Sequence, residues 1–307
     1  LGSGEDTLIL GNFANTVTLS NIETILGSSA NDVLTLATGM NGGTVNLGGG
    51  NDTLTLADVN NTLTVISVET LNGGTADDVV TLGAQITSGT VTLGSGDDTL
   101  ILGNFVNTLT VTDIETILGG NSADVVTLGS QVTAGTLNLG SGSDVLNLGN
   151  FANSVTVVNI ESVVGGTDDD VVTLGAAASG VRINLGAGTD TLILGDFNNT
   201  LTVSNVETLT GGASNDIVTL GNAITAGTVD LGSGTDTLTL GNFANTLTTV
   251  NVENIVGGTS SDNVTLGNAI TTGTINLGSG ADTLVLGNFE NTLTIVSVEP
   301  LTGGTDD

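Results

Sequence analysis

The chain has 307 residues, 32 of them acidic, one basic (Arg182) and none histidine, for a formal charge of −31. That charge excludes nucleic acid, whose phosphates are met by Lys and Arg, and it excludes an anionic membrane surface. Cysteine is absent, which removes disulfides as staples without fixing a compartment, and no apolar run approaches membrane-spanning length.

A cation is the natural counter-charge for such a chain. The sequence is nevertheless not a disordered acidic tail. Hydrophobic residues make up 38%, and they alternate with polar ones, so a core can be buried. Glycine is frequent (47 residues) and proline nearly absent. The glycines lack the every-third spacing of collagen and so mark bends.

The ordering stretch is Leu93-Gly94-Ser95-Gly96-Asp97-Asp98-Thr99-Leu100-Ile101-Leu102, a glycine-rich bend followed by a short alternating strand. Its aspartate recurs at Asp6, Asp52, Asp98, Asp144, Asp190, Asp236 and Asp282, every 46 residues without insertion. A second series runs between, at Asp32, Asp78, Asp124, Asp170, Asp216 and Asp262. A fixed internal period of this size marks a solenoid. Taken in order from Asp98, the predicted strands are Thr99–Leu102, Thr108–Val111, Ile114–Leu118, Val125–Leu128 and Thr136–Leu139. The bends between them are Gly103-Asn104-Phe105-Val106-Asn107, Gly119-Gly120-Asn121-Ser122-Ala123-Asp124, and Gly129 to Gly135. Period-2 alternation bounded by Gly or Asn is the strand signal, and no 3.6-residue period appears.

These features predict an all-β chain: a parallel β-helix, a β-roll-like solenoid of about 13 coils alternating 26 and 20 residues, the two steps between aspartates. Residues 1–307 form a single repeat array of seven 46-residue units, the last truncated. Leu8, Leu54, Leu100 and their equivalents should form one inward column. The array begins and ends within its repeat pattern, which suggests part of a longer array or filament.

The bend Leu47-Gly48-Gly49-Gly50-Asn51-Asp52-Thr53-Leu54-Thr55 follows the nonapeptide G-G-x-G-x-D-x-U-x in every specified place except the first glycine. The second-series bends, such as Gly165-Gly166-Thr167-Asp168-Asp169-Asp170-Val171-Val172-Thr173, keep the leading glycines and the aspartate but lose the fourth-position glycine. The chain thus resembles the haemolysin-type (RTX) calcium-binding repeat proteins in a degenerate version. The resemblance implies Ca²⁺ in a column at one edge. Its ligands would be the thirteen aspartates of the two series, with Gly48, Gly50, Gly94, Gly96, Gly140, Gly142, Gly186, Gly188, Gly232, Gly234, Gly278 and Gly280 shaping the bends. Physical chemistry agrees: a hard cation takes six to eight oxygens from carboxylates and carbonyls. Carboxylates stacked ~4.8 Å apart otherwise repel by about 0.9 kcal/mol in water and about 3.5 kcal/mol at an effective dielectric of 20. The competing reading is that each aspartate caps its own turn without metal.

Three further residues recur once per unit. Glu23, Glu69, Glu115, Glu161, Glu207, Glu253 and Glu299 read as a solvated face, with a ligand role as the alternative. Phe13, Phe105, Phe151, Phe197, Phe243 and Phe289, with Val59 in the second unit, read as filling of the wider coil, with an exposed stripe for lateral packing as the alternative. Asn15, Asn61, Asn107, Asn153, Asn199, Asn245 and Asn291 suit an amide ladder.

No catalytic constellation exists, because His, Cys and Lys are all absent. The expected function is that of an extracellular calcium-binding structural or adhesive solenoid, forming a fibre, surface layer or adhesin stalk. Self-association end to end or side by side would accompany it, with no membrane insertion. The resemblance implies export from a bacterium by type I secretion. The alternatives are an ice-binding or other surface-recognition solenoid, suggested by Thr rows at Thr18/Thr64/Thr110 and Thr35/Thr81/Thr127, and a non-catalytic secretion module of a larger protein.

Overall fold

The computed structural model describes residues 2–304. They form 33 short strands, and among the described residues there is no helix. The chain divides into two compact units, Leu1–Gly149 with Val158–Ile160, and Asn150–Val157 with Glu161–Asp307. Each is a parallel β-solenoid of two sheets. Alternate strands along the chain enter alternate sheets, so each coil contributes one strand to each.

In the first unit one sheet runs Thr7–Ile9, Thr24–Ser28, Asn41–Gly48, Thr62–Ile66, Val79–Leu82, Thr99–Ile101, Thr116–Gly120 and Gly135–Gly140, all parallel. The other runs Thr16–Leu19, Val33–Leu36, Thr53–Thr55, Thr70–Gly74, Gly89–Gly94, Thr108–Thr112, Val125–Leu128 and Val145–Asn147. The second unit follows the same plan. Val171–Leu174, Thr191–Ile193, Thr208–Gly212 and Gly227–Gly232 are successive in one sheet. Ser179–Asn184, Thr200–Ser204, Ile217–Leu220 and Thr237–Thr239 are successive in the other. A strand of three to five residues is too short to hold alone. Here each strand inside the stack is paired on both flanks by its equivalents, ~4.8 Å away.

The β-solenoid matches the expected fold, with about 15 coils against the predicted thirteen. The coil lengths differ. Paired positions are 17 residues apart (Thr7 and Thr24, Thr62 and Val79) or 20 apart (Thr24 and Thr44, Val79 and Thr99), 21 where the register shifts (Asn41 and Thr62), and among the described pairs none is 26 apart. The reason lies in the number of turns. Each 46-residue repeat contains five, which makes two and a half coils. Five is odd, so equivalent turns of successive repeats fall on opposite edges.

The core follows from this. Val80, Leu100, Ile117 and Leu137 are in register and wholly buried. Each such side chain contributes roughly 1.5–3 kcal/mol by leaving water. Leu8 and Leu54 do not share a column as expected: Leu8 pairs with Ile25, whereas Leu54 pairs with Leu34 and Leu71 in the other sheet. The phenylalanines do not fill the interior. Phe13 is 76% exposed, and the other five are half-buried on the outside. There the rings of Phe105, Phe197, Phe243 and Phe289 lie over Gly103, Gly195, Gly241 and Gly287.

Candidate metal centre

The five turns of one repeat bring five different residues to the solenoid edge. In order they are the aspartate of Gly-Ser-Gly-x-Asp, the asparagine of Gly-Asn-Phe-x-Asn, the glutamate of the lead-in, the aspartate of Gly-Gly-x-x-x-Asp, and an aliphatic residue followed by glycine. Every second turn returns to the same edge. Reading up one edge therefore gives Asn, Asp, Asp, Glu and then a rung with no carboxylate.

Hydrogen bonds join these rungs into a ladder. On one edge of the first unit the Asn61 N–H donates to Asp78 Oδ1 (2.8 Å), the Asp78 N–H to Asp98 Oδ1 (2.7 Å) and the Asp98 N–H to Glu115 Oε2 (2.9 Å). On the opposite edge the same chain runs through Asn15, Asp32, Asp52 and Glu69, at 2.9, 2.7 and 2.8 Å. The second unit holds two more, Asn153-Asp170-Asp190-Glu207 and Asn199-Asp216-Asp236-Glu253. Each asparagine adds a second bond, from its Nδ2 to the Oδ1 of the next aspartate, as Asn61 does to Asp78 at 2.8 Å. Its own Oδ1 accepts the N–H of an apolar residue one coil earlier, Met40, Ile86, Ala178 or Ile224.

The ladder is buried. Asp32, Asp98, Asp124, Asp170, Asp190, Asp216 and Asp236 are 0% exposed. While Oδ1 takes the N–H, Oδ2 of Asp32, Asp52, Asp78, Asp98, Asp124, Asp170, Asp190, Asp216, Asp236 and Asp262 has no hydrogen-bond partner. Burial pushes Asp98, Asp190 and Asp236 up to about 6, against the N–H each accepts and with the acids on neighbouring rungs adding to the rise. Burial also raises Asp78, Asp124, Asp170, Asp216 and Asp262, opposed in each by the bonds from asparagine.

The glycines hold the bends together by steric necessity. Gly94 has φ +99°, and a Cβ there would lie 2.1 Å from the carbonyl oxygen of Gly74 in the coil beneath. Gly48 meets Ser28 in the same way. The bends thus stack backbone upon backbone, with the Ser95 N–H bonded to Gly74 O at 3.0 Å.

Several sequence expectations change here. The thirteen aspartates do not line one edge. Asp52 opens a strand of one sheet and Asp98 a strand of the other, so the two series divide between both edges. Glu69, Glu115, Glu207 and Glu253 are not a solvated face; they are ladder rungs, each accepting an aspartate N–H. The asparagines do not stack on one another, because the next residue up each edge is an aspartate. The missed signal was the recurrent 17-residue step from Asn15 to Asp32 and from Asp52 to Glu69, flanking the 20-residue step between the aspartates.

The fold and site define the class: a parallel β-solenoid with acid ladders built into its turns. The family profile "RTX calcium-binding nonapeptide repeat (4 copies)" matches residues 181–201 and 204–223. Those two segments are similar to RTX-type repeats, and calcium is the cation that such repeats bind. No curated protein matches the chain. Among solved structures it is similar to a hyperactive, Ca²⁺-dependent, β-helical antifreeze protein from an Antarctic bacterium, at 20% identity over 90% of this chain and 84% of that one, with a TM-score of 0.26.

The residues fit calcium. The unpartnered, buried Oδ2 atoms are hard anionic donors facing a region with no basic group, since Arg182 is the chain's one cation. Among the described residues no three acidic side chains converge on one point. A cation here therefore takes carboxylates from two neighbouring rungs at most and its remaining oxygens from backbone carbonyls and water. When bound, it neutralises the charge that burial disfavours.

Proposed function

We propose that the protein is a non-catalytic structural or adhesive solenoid that completes its fold with calcium outside the cell. The observation that carries this reading is the run of buried carboxylates without a counter-charge. A folded chain must supply protons or metal to such ladders. Extracellular modules with modest calcium affinity fill at millimolar calcium and stay empty in the cytosol. Among the described residues no helix is long and apolar enough to cross a membrane, and the chain has no His, Cys or Lys to serve a reaction. Export through type I secretion and assembly into a fibre, surface layer or stalk belong to the same reading. The test is thermal unfolding and sedimentation of one sample in EDTA and in millimolar calcium. A higher midpoint and larger species with calcium are expected. An unchanged midpoint overturns the calcium requirement, and a monomer at all concentrations overturns the assembly.

A specific observation favours one alternative, recognition of an ordered surface such as ice. In the first unit Thr53, Thr70, Thr90, Thr110 and Thr127 stand in register on five consecutive coils. A second rank, Thr55, Asn72, Thr92 and Thr112, runs beside it. The strands of this unit contain no charged residue, so the face is a neutral hydroxyl grid. A shallow groove of about 430 Å³ follows it, lined by Thr70, Thr90, Thr108, Thr110 and Thr127 among others, Glu69 included. Thermal hysteresis at high protein concentration is expected on this reading, and its absence removes it.

A further inference from the structure

The ladders are not continuous columns. Each stops above the glutamate, where the next rung is Gly89, Gly135 or Gly227, whose Cβ would lie 3.0, 2.9 and 2.8 Å from the carbonyl oxygen of Glu69, Glu115 and Glu207. Each stops below the asparagine at an aliphatic residue such as Ile86 or Ile224. Between one triplet of acids and the next on the same edge, as from Glu69 to Asp124, the chain climbs three coils. That is roughly 14 Å at ~4.8 Å per coil, three times the spacing within a triplet. Within a triplet the acids are one coil apart.

The middle aspartate is singular. Asp98 has an acid on both sides, Asp78 and Glu115; so do Asp52, Asp190 and Asp236. Its Oδ2 is fully enclosed and bonded to nothing, and so is that of the aspartate beneath it. Two unpartnered buried oxygens therefore adjoin a third carboxylate.

We propose that each Asp-Asp-Glu triplet is one self-contained cation cluster, in which the glutamate is a ligand as well as the acceptor for a backbone N–H, and that clusters fill independently of one another. The inference rests on the calcium reading above and deepens it. The glutamate lies outside the nonapeptide, in the lead-in segment. Each repeat then offers two gaps between carboxylates, Asp to Asp and Asp to Glu, and successive repeats place their clusters on opposite edges. Occupancy scales with the number of repeats and does not propagate along an edge.

Glutamine separates the two roles of the glutamate. It keeps an amide oxygen to accept the aspartate N–H and loses only the charge. Calcium uptake by the intact chain is measured by titration calorimetry for the wild type, for E115Q, and for the fourfold variant E69Q/E115Q/E207Q/E253Q. The wild type is expected to bind without cooperativity between clusters. E115Q is expected to lose one ion, or to hold it about tenfold more weakly, and the fourfold variant to lose four. If the fourfold variant does not fold, the single variant still reads the lost ion. Unchanged stoichiometry and affinity in E115Q, or steeply cooperative uptake by the wild type, overturns the cluster and leaves calcium binding intact. A wild type that takes up no calcium overturns both.

Discussion

The two aspartates of each cluster look alike in the sequence and occupy adjacent coils of one ladder, yet their surroundings differ. Asp78, the lower, receives two hydrogen bonds from Asn61, through its N–H and its Nδ2, both at 2.8 Å. Asp98, the upper, receives one, from the N–H of Asp78, and has acids above and below. The pattern repeats at Asp216 under Asp236 and at Asp170 under Asp190. A neutral neighbour with a spare N–H steadies a buried carboxylate, whereas a second carboxylate on the next rung destabilises it. The upper aspartate is thus the rung that most needs a cation. It belongs to the Gly-Ser-Gly-x-Asp bend, which is also the bend nearest the nonapeptide.

Removal of calcium tests both rungs together and should have the largest effect. A site held at a hundred times its dissociation constant contributes about 2.7 kcal/mol, and each repeat carries such gaps. Urea unfolding in EDTA should therefore show a much lower midpoint than in millimolar calcium. Converting the lower rung into the upper type comes next. Asn107 is wholly buried, and its Nδ2 donates to Phe105 O (2.9 Å) and to Asp124 Oδ1 (3.0 Å). Asn107→Asp removes both donors and sets a carboxylate against a carbonyl and Asp124. In EDTA this should cost about 3–5 kcal/mol, as for a buried charge without a partner. Calcium should restore part of the loss, because a new gap between carboxylates is created. A variant as unstable in calcium as in EDTA would break the comparison.

Much of this arrangement was legible from the residues. The 46-residue recurrence of Asp6, Asp52 and Asp98, with period-2 strands between glycine bends, leads to a parallel solenoid and to its aspartates as the polar feature. The winding was not legible from that recurrence, because a repeat period need not be a whole number of coils. The 26-residue step from Asp6 to Asp32 spans one and a half coils and joins opposite edges; only the 20-residue step joins stacked neighbours. The 17-residue steps that complete each ladder run from asparagine to aspartate and from aspartate to glutamate, between unlike residues, so a search for recurring aspartate passes over them. Phe105 misleads in a different way: its size suggests a core, but the inward positions on either side of its turn, Leu102 and Leu109, already fill the coil.

The smallest effect is the most discriminating between the two rungs, and its sign depends on calcium. A buried carboxylate raised to about 6 binds its proton more tightly folded than unfolded, where 3.8 applies. The folded state then holds more protons between those values, so the stability of the calcium-free chain falls as pH rises from about 4 to 6. Asp98, Asp190 and Asp236 should each account for about 1–2 kcal/mol of that fall, after allowance for screening. Asp98→Asn deletes the ionisation while keeping an acceptor for the Asp78 N–H. In EDTA at pH 7 it should stabilise the chain by about that amount and flatten the pH profile correspondingly. Asp78→Asn, whose native carboxylate is already steadied by Asn61, should change the EDTA midpoint much less. In millimolar calcium both should destabilise, Asp98→Asn the more, since it removes the carboxylate shared by two gaps. Equal responses of the two variants in EDTA would show that the asparagine bonds do not distinguish the rungs.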